Sequence, residues 1–135
     1  MNSFDLKIVT PDGLAFEGKA EELIVRTTSG EMGILAGHIN CVCPLGMGRA
    51  TILTEGERKY AACIGGMVSM VDNKVTLVAT TFEWADQIDL SRAQQSEERA
   101  NRVLSDRNAS KQEQQLAEAR LKRALIRKNV AQTGR

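Results

Sequence analysis

Over residues 1–87 apolar side chains recur mostly at every second position. "FDLKI" sets Phe4, Leu6 and Ile8 on one side of an extended chain with polar residues between them, which is the period of a half-buried strand. "TPDG" follows as a turn, Pro11 supplying a preset φ and Gly13 a permissive one, and "ELIVRT" begins a second short strand. Further strand runs, "INCVCPL", "RATILT", "RKYAACI", "MVSMV" and "KVTLVATTF", are separated by "GMG", "EGE", "GG" and "DN", which are turn signals rather than helix caps. Roughly eight to ten short strands at this spacing predict an antiparallel sandwich or flattened barrel. Nothing in the stretch has the helical crossover that a parallel sheet requires.

From residue 88 the period changes. Leu90, Ala93, Ala100, Val103 and Leu104 recur at helical intervals, and so do Leu116, Ala119, Leu121, Ala124, Leu125 and Val130. "DRNAS" interrupts the two runs. Ser110 followed by Glu113 fits a capping box, so a second helix starts just after Ser110, and Asp89 is placed to cap the first. The fold expected is β + α: an antiparallel β-sandwich over 1–87, then an antiparallel α-helical hairpin over 88–135. The apolar stripe of the hairpin leans on alanine, which buries far less area than leucine at roughly 25 cal/mol per Å². That suits a movable element; a permanently packed hairpin with charged outer faces is the other reading of the same pattern.

Charge divides the chain at the same place. Residues 1–87 carry seven lysines and arginines against eleven acids, whereas residues 88–135 carry eleven against six. Every glycine but Gly134, both prolines and all the aromatic residues fall in the first part. The near-neutral total therefore conceals two different objects.

Candidate chemistry is sparse. The chain has no glycine-rich phosphate loop, no nucleophile beside a partner base, and a single histidine, His38. Cys41, Cys43 and Cys63 are an odd number and a poor disulfide framework. His38 with Cys41 and Cys43 reads as "H-x-x-C-x-C", part of a zinc set, but free cysteines acting as small buried hydrophobes explain the pattern more simply, and no metal is expected. The polar, alternating N-terminus does not read as a signal peptide, and no stretch approaches the roughly 18 apolar residues of a spanning helix. The expectation is a cytosolic protein that reaches a membrane only through a partner.

"TPDG", "AEELIVRTTSGEMGILAGH", the Gly65–Gly66 pair followed by "MVSMVDNKVTLVA", and then "IDLSRA" have an order and spacing that resemble the epsilon subunit of bacterial F-type ATP synthases across essentially the whole chain. The most specific piece, "SGEMGILAGH" at residues 29–38, is similar to the family's loop "SGE-x-GI-x-x-GH". It departs from the family at Ala36, where proline is common. The resemblance implies a ten-stranded sandwich at the foot of the central stalk, against the gamma subunit and the c-ring, and a regulatory hairpin. It implies no catalysis, since nucleotide chemistry in that machine occurs on other subunits, and a peripheral place on the cytoplasmic face of a bacterial membrane.

Roles follow from the same resemblance. Gly30, Gly33 and Gly37 would let the loop turn and approach a partner's backbone, Glu31 would face the c-ring, and His38 would face gamma; read alone, each is an ordinary solvated or locally satisfied loop residue. "IDLSRA", with Ile88, Asp89, Arg92 and Ala93, is similar to the I/L-D-x-x-R-A pattern that binds ATP in several bacterial epsilon subunits. Arg92 and Arg99 share a face of one helix and Arg123 and Arg127 a face of the next, so the resemblance implies four guanidiniums around a triphosphate, with Asp89 at the adenine edge or capping the helix and Glu83 at the same site. No cofactor is required; ATP is a regulatory ligand. When the hairpin opens, Arg120, Lys122, Arg123, Arg127 and Lys128 form a basic face suited to acidic segments of the catalytic alpha and beta subunits. The plainer reading of these charges is a solvated helix face laced with pairs such as Glu98 and Arg102.

Two other functions fit part of the sequence. A nucleic-acid-binding module would lay the basic hairpin on phosphates, but the hairpin has no aromatic residues for stacking and its bases are mixed with acids. A stand-alone ATP sensor would use "IDLSRA" without joining a synthase.

Overall fold

A computed structural model describes residues 2–133. The chain divides after Trp84 into two compact units, slightly ahead of the composition break. The first holds eight strands: β1 (Phe4–Thr10), β2 (Gly13–Ala20), β3 (Glu22–Thr27), β4 (Gly30–Leu35), β5 (Cys41–Pro44), β6 (Met47–Thr54), β7 (Glu57–Val71) and β8 (Lys74–Trp84). The second holds a 3₁₀ turn (Ala85–Gln87), α1 (Leu90–Ser105) and α2 (Lys111–Thr133). No helix among the described residues is long and apolar enough to cross a membrane.

The first unit is a sandwich built around two long strands. The C-terminal half of β7 pairs with β5 and its N-terminal half with β6, while β8 follows β7 along nearly its whole length. One layer therefore runs β2-β1-β8-β7-β5 and the other β8-β7-β6-β3-β4. Counted layer by layer, five strands lie in each; the count is eight rather than ten because β7 and β8 belong to both. The Gly65–Gly66 pair, expected as a turn between strands, is a corner inside β7. Both residues take positive φ, 70° and 115°, and the pairing to β8 continues on either side in one register. The β5–β6 junction closes on this corner, Leu45 N–H donating to the Gly66 carbonyl at 2.8 Å and Gly65 N–H to the Gly46 carbonyl at 3.0 Å.

A second difference concerns β1, which pairs with β8 in parallel, Leu6 opposite Val75 and Ile8 opposite Leu77. No helical crossover is needed, because the rest of the sandwich is itself the connection between the two strands. The alternation expected from sequence fills the core: Phe4, Leu6 and Ile8 from β1, Leu23 and Val25 from β3, Val68 and Met70 from β7, and Val75 and Leu77 from β8 are all buried in one cluster. Trp84 meets Phe82 edge-on at 5.0 Å between ring centroids, securing the end of β8.

The helices start where the capping chemistry places them. Asp89 Oδ1 accepts from the Arg92 N–H at 3.0 Å. Ser110 Oγ accepts from the Glu113 N–H at 3.1 Å, while Glu113 Oε1 accepts from the Ser110 N–H at 3.4 Å, completing the box. The seam between α1 and α2 is made of alanine more fully than the leucine positions suggest. Ala93 and Ala100 are buried in α1, and Ala117, Ala124 and Ala131, with Val130, in α2. Leu116 and Leu125, expected in the stripe, are exposed. Methyl groups spaced seven residues apart let two helices approach closely, and bulkier residues are displaced to the flanks.

The corner is a sharp place to test the fold. A Cβ on Gly66 would lie 1.9 Å from the Val78 carbonyl oxygen and 2.9 Å from the Ala79 Cα, whereas Gly56, also at positive φ, has nothing within 4 Å of that position. Gly66→Ala is expected to cost roughly 3 kcal/mol or more in urea unfolding, and Gly56→Ala about 1 kcal/mol. Equal losses in the two variants would contradict a corner built on Gly66.

Candidate functional site: a docking face, an edge strand and a basic hairpin

The segment expected as a loop, residues 29–38, is an edge strand between two turns. β4 pairs with β3, Glu31 opposite Arg26 and Gly33 opposite Ile24. Gly30 and Gly37 take positive φ, 125° and 79°, and serve the turns. Gly33 lies within the strand and has no such φ, so its expected part in a sharp turn is corrected by the pairing with Ile24. None of the three has an atom within 4 Å of where a Cβ would stand, which leaves that backbone open to approach.

Glu31 and His38 stand at opposite ends of β4. Glu31 is exposed, just past a turn in which Thr27 Oγ1 donates to the Gly30 carbonyl at 2.7 Å and accepts from the Ser29 N–H. His38 is half-buried, its Nδ1 2.8 Å from the Ile39 carbonyl oxygen and 3.9 Å from Cys41 Sγ. The carbonyl requires a proton on Nδ1, which fixes the tautomer. The turn beneath is bracketed by Asn73, whose Oδ1 accepts from the Gly37 N–H at 3.0 Å and whose Nδ2 donates to the Ser3 carbonyl at 2.9 Å.

Cys41 and Cys43 are half-buried against the core and Cys63 is buried. Burial pushes the Cys63 thiol up to about 12 and raises Cys41 as well, so both are protonated at neutral pH. Among the described residues, no group of three or more His, Cys, Asp or Glu could hold a metal ion.

The outer face of the β2-β1-β8-β7-β5 layer carries a feature that the sequence reading missed. Pro44, Met67, Val78, Val9 and Leu14 are successive cross-strand neighbours and so form one apolar row across five strands. Leu14 is 56%, Met67 45% and Val78 51% exposed, and Val42 and Val71, on the same face, are exposed as well. The face becomes charged toward Lys74, Asp5 and Lys19, where Lys19 holds the Asp5 carboxyl below the usual carboxylate range. The signal was present in "CVCPL", "MVSMV" and "KVTLVA", where apolar residues occupy both parities of the strand and two covered faces are implied.

In the hairpin, Asp89 fulfils the capping role of the two expected for it. Arg92 and Arg99 are exposed on α1, Ala93 lies in the seam and Ile88 is buried. Arg123 and Arg127 are half-buried on α2, and Arg120 and Lys122 are exposed. Lys128, expected on the basic face of the opened hairpin, is bound here by Glu97 at 2.8 Å. In an antiparallel pair that contact sets Arg99 level with residue 126, between Arg123 and Arg127, and Arg92 two turns nearer the start of α1. Glu83 belongs to β8 in the other unit, opposite Ala62.

Residues 3–85 match the family described as ATP synthase, Delta/Epsilon chain, beta-sandwich domain, and residues 86–132 its long alpha-helix domain. The ATP synthase epsilon chain of Ruminococcus albus is 41% identical over 97% of this chain and 98% of its own length. That of Bacillus pumilus is 40% identical over 97% and 98%, and that of Caldanaerobacter subterraneus 41% over 96% and 94%. Among solved structures, a chain of the Euglena gracilis mitochondrial ATP synthase superposes with a TM-score of 0.80 at 22% identity, covering 90% of this chain and 77% of that one. A chain of the Tetrahymena thermophila mitochondrial ATP synthase central stalk and c-ring gives 0.62 at 11%, covering 94% and 95%. These two similarities speak for the fold. With both halves of the chain matched in order, and relatives about 40% identical from end to end, the protein belongs to the ATP synthase epsilon chain family.

Proposed function

We propose that this chain is a non-catalytic central-stalk subunit of a bacterial F-type ATP synthase, its sandwich joining the gamma subunit to the c-ring and its hairpin restraining ATP hydrolysis. Membership of the epsilon family supports the assignment, and the observation that carries it is the apolar row from Pro44 to Leu14. A contiguous apolar surface rimmed by charge marks an interaction site, and covering it with a partner removes that surface from water at roughly 25 cal/mol per Å². The charged end at Lys74, Asp5 and Lys19 fixes orientation more than strength.

The two ends of β4 support two partners. Glu31, with the open backbone at Gly30 and Gly33, suits the polar loops of the c-ring. The turn at Gly37 and His38 suits gamma. In this reading the catalytic sites lie on other subunits of the complex, and the chain sits peripherally on the cytoplasmic face of the membrane.

The hairpin supplies the regulatory half. Folded, it offers Arg92, Arg99, Arg123 and Arg127 to the phosphates of ATP through paired, charge-assisted hydrogen bonds, with Ile88, Asp89 and Ala93 of the same unit completing the site. Extended, it presents Arg120, Lys122, Arg123, Arg127 and Lys128 to acidic segments of the alpha and beta subunits. The same arginines serve both states, so a ligand of one competes with the other.

Two measurements test these halves. Met67→Lys combined with Val78→Glu is expected to weaken binding to purified gamma about a hundredfold, with unfolding little changed because the two side chains are half exposed and the opposite charges face each other across the strands. Retained affinity would remove the docking role, and failure of the unaltered chain to bind gamma at all would favour a stand-alone sensor. Calorimetric titration with ATP is expected to give heat of binding that is lost in Arg92→Ala. No heat from the unaltered chain at millimolar ATP would assign the arginines to the extended state alone.

A further inference from the structure

The seam between α1 and α2 is built mostly from alanine methyl groups, joined by Val130, and alanine buries little area. Across it lies a contact of a different kind. Lys128 Nζ donates to Glu97 Oε1 at 2.8 Å, between residues 31 apart in sequence, and only 25% and 22% of the two side chains remain exposed. The register this pair sets brings Ala100 level with Ala124 and Ala93 level with Ala131, each to within a residue. The ion pair therefore bridges the helices between two alanine layers and shares their register.

We infer that Glu97 and Lys128 form the clasp of the folded hairpin and set the balance between its closed and open states. Three features combine. The pair is mostly withdrawn from solvent, so salt screens it less than a surface pair. Both partners sit in a seam whose buried residues are mostly alanine, so packing removes little apolar area beside them. Breaking the pair by removing one partner also leaves a poorly solvated charge on the other, so the closed state loses more than one hydrogen bond. Lys128 is thereby engaged on α1 when the hairpin is closed and released to the basic face of α2 only when it opens. The regulatory consequence rests on the reading that an open hairpin restrains hydrolysis; the clasp itself rests on the pair and the seam.

Hydrogen exchange on the full chain reads the clasp directly. Glu97→Gln and Lys128→Met are each expected to raise amide exchange across α1 and α2 about tenfold, with β-sandwich amides unchanged as the internal control. The charge swap, Glu97→Lys with Lys128→Glu, is expected to recover most of the lost protection, because the pair re-forms with reversed sign. Unchanged exchange in both single variants would overturn the clasp. So would a swap as open as the singles, since loss of packing or helix propensity would then explain the effect. A second arm tests the reading separately: Glu97→Gln, which leaves the basic face intact, is expected to lower ATP hydrolysis by the reconstituted synthase severalfold. Faster exchange with unchanged hydrolysis would leave the clasp standing and sink the inhibitory role of the open hairpin.

Discussion

Two strands that belong to both layers hold the sandwich together, and they do so because one residue has no side chain. β7 passes from one layer to the other through Gly65 and Gly66 without leaving its pairing with β8. At Gly66 the opposing backbone comes close enough that even a methyl group would overlap it. The bend carries Val68 and Met70 into the core beside Val75 and Leu77. It also fixes which parity of the same strands faces out, so that Met67 and Val78 fall opposite each other on the surface. The apolar face is thus a by-product of the corner: its row exists because β5, β7, β8, β1 and β2 are held in one register there.

The second unit follows a contrasting rule. Where the sandwich buries Phe, Leu, Ile and Met, the hairpin buries alanine, and its cohesion falls to end caps, a close helix approach and a charged contact. Such an element opens at modest cost, while a sandwich with strands shared between layers does not. The proposed function draws on this contrast, with the packed sandwich as its platform and the alanine-seamed hairpin as its regulatory element.

Local chemistry was legible in the sequence. The alternation of Phe4, Leu6 and Ile8, the Asp72–Asn73 hairpin turn, whose residues both take positive φ, the Asp89 cap and the Ser110–Glu113 box each depend on neighbours a few residues away. What depends on distant partners was not. The Gly-Gly pair reads equally as a turn or as a corner until β8 is laid beside it. The parallel union of β1 with β8 has no local signature. In α2 the leucines drew attention because they are large, yet Ala117 and Ala131 occupy the seam, since helix approach rather than residue size decides which positions are covered. The apolar row was visible only as strands apolar on both parities, and the Glu97–Lys128 contact required the register of two helices. At the candidate sites, the residues of β4 and "IDLSRA" came from family likeness, whereas the apolar row from Pro44 to Leu14 came from the sheet.

In the proposed function this face is covered when the protein works, and methionine oxidation reports coverage side chain by side chain. Met67 is exposed on the row, while Met70, three residues on, is fully buried in the core and serves as the internal reference. Limited peroxide oxidation of the free chain and of the chain assembled with gamma, resolved by peptide mass, is the most direct comparison. Met67 is expected to be oxidised in the free chain and strongly protected in the assembly, with Met70 resistant in both. Equal oxidation of Met67 in the two states would contradict it.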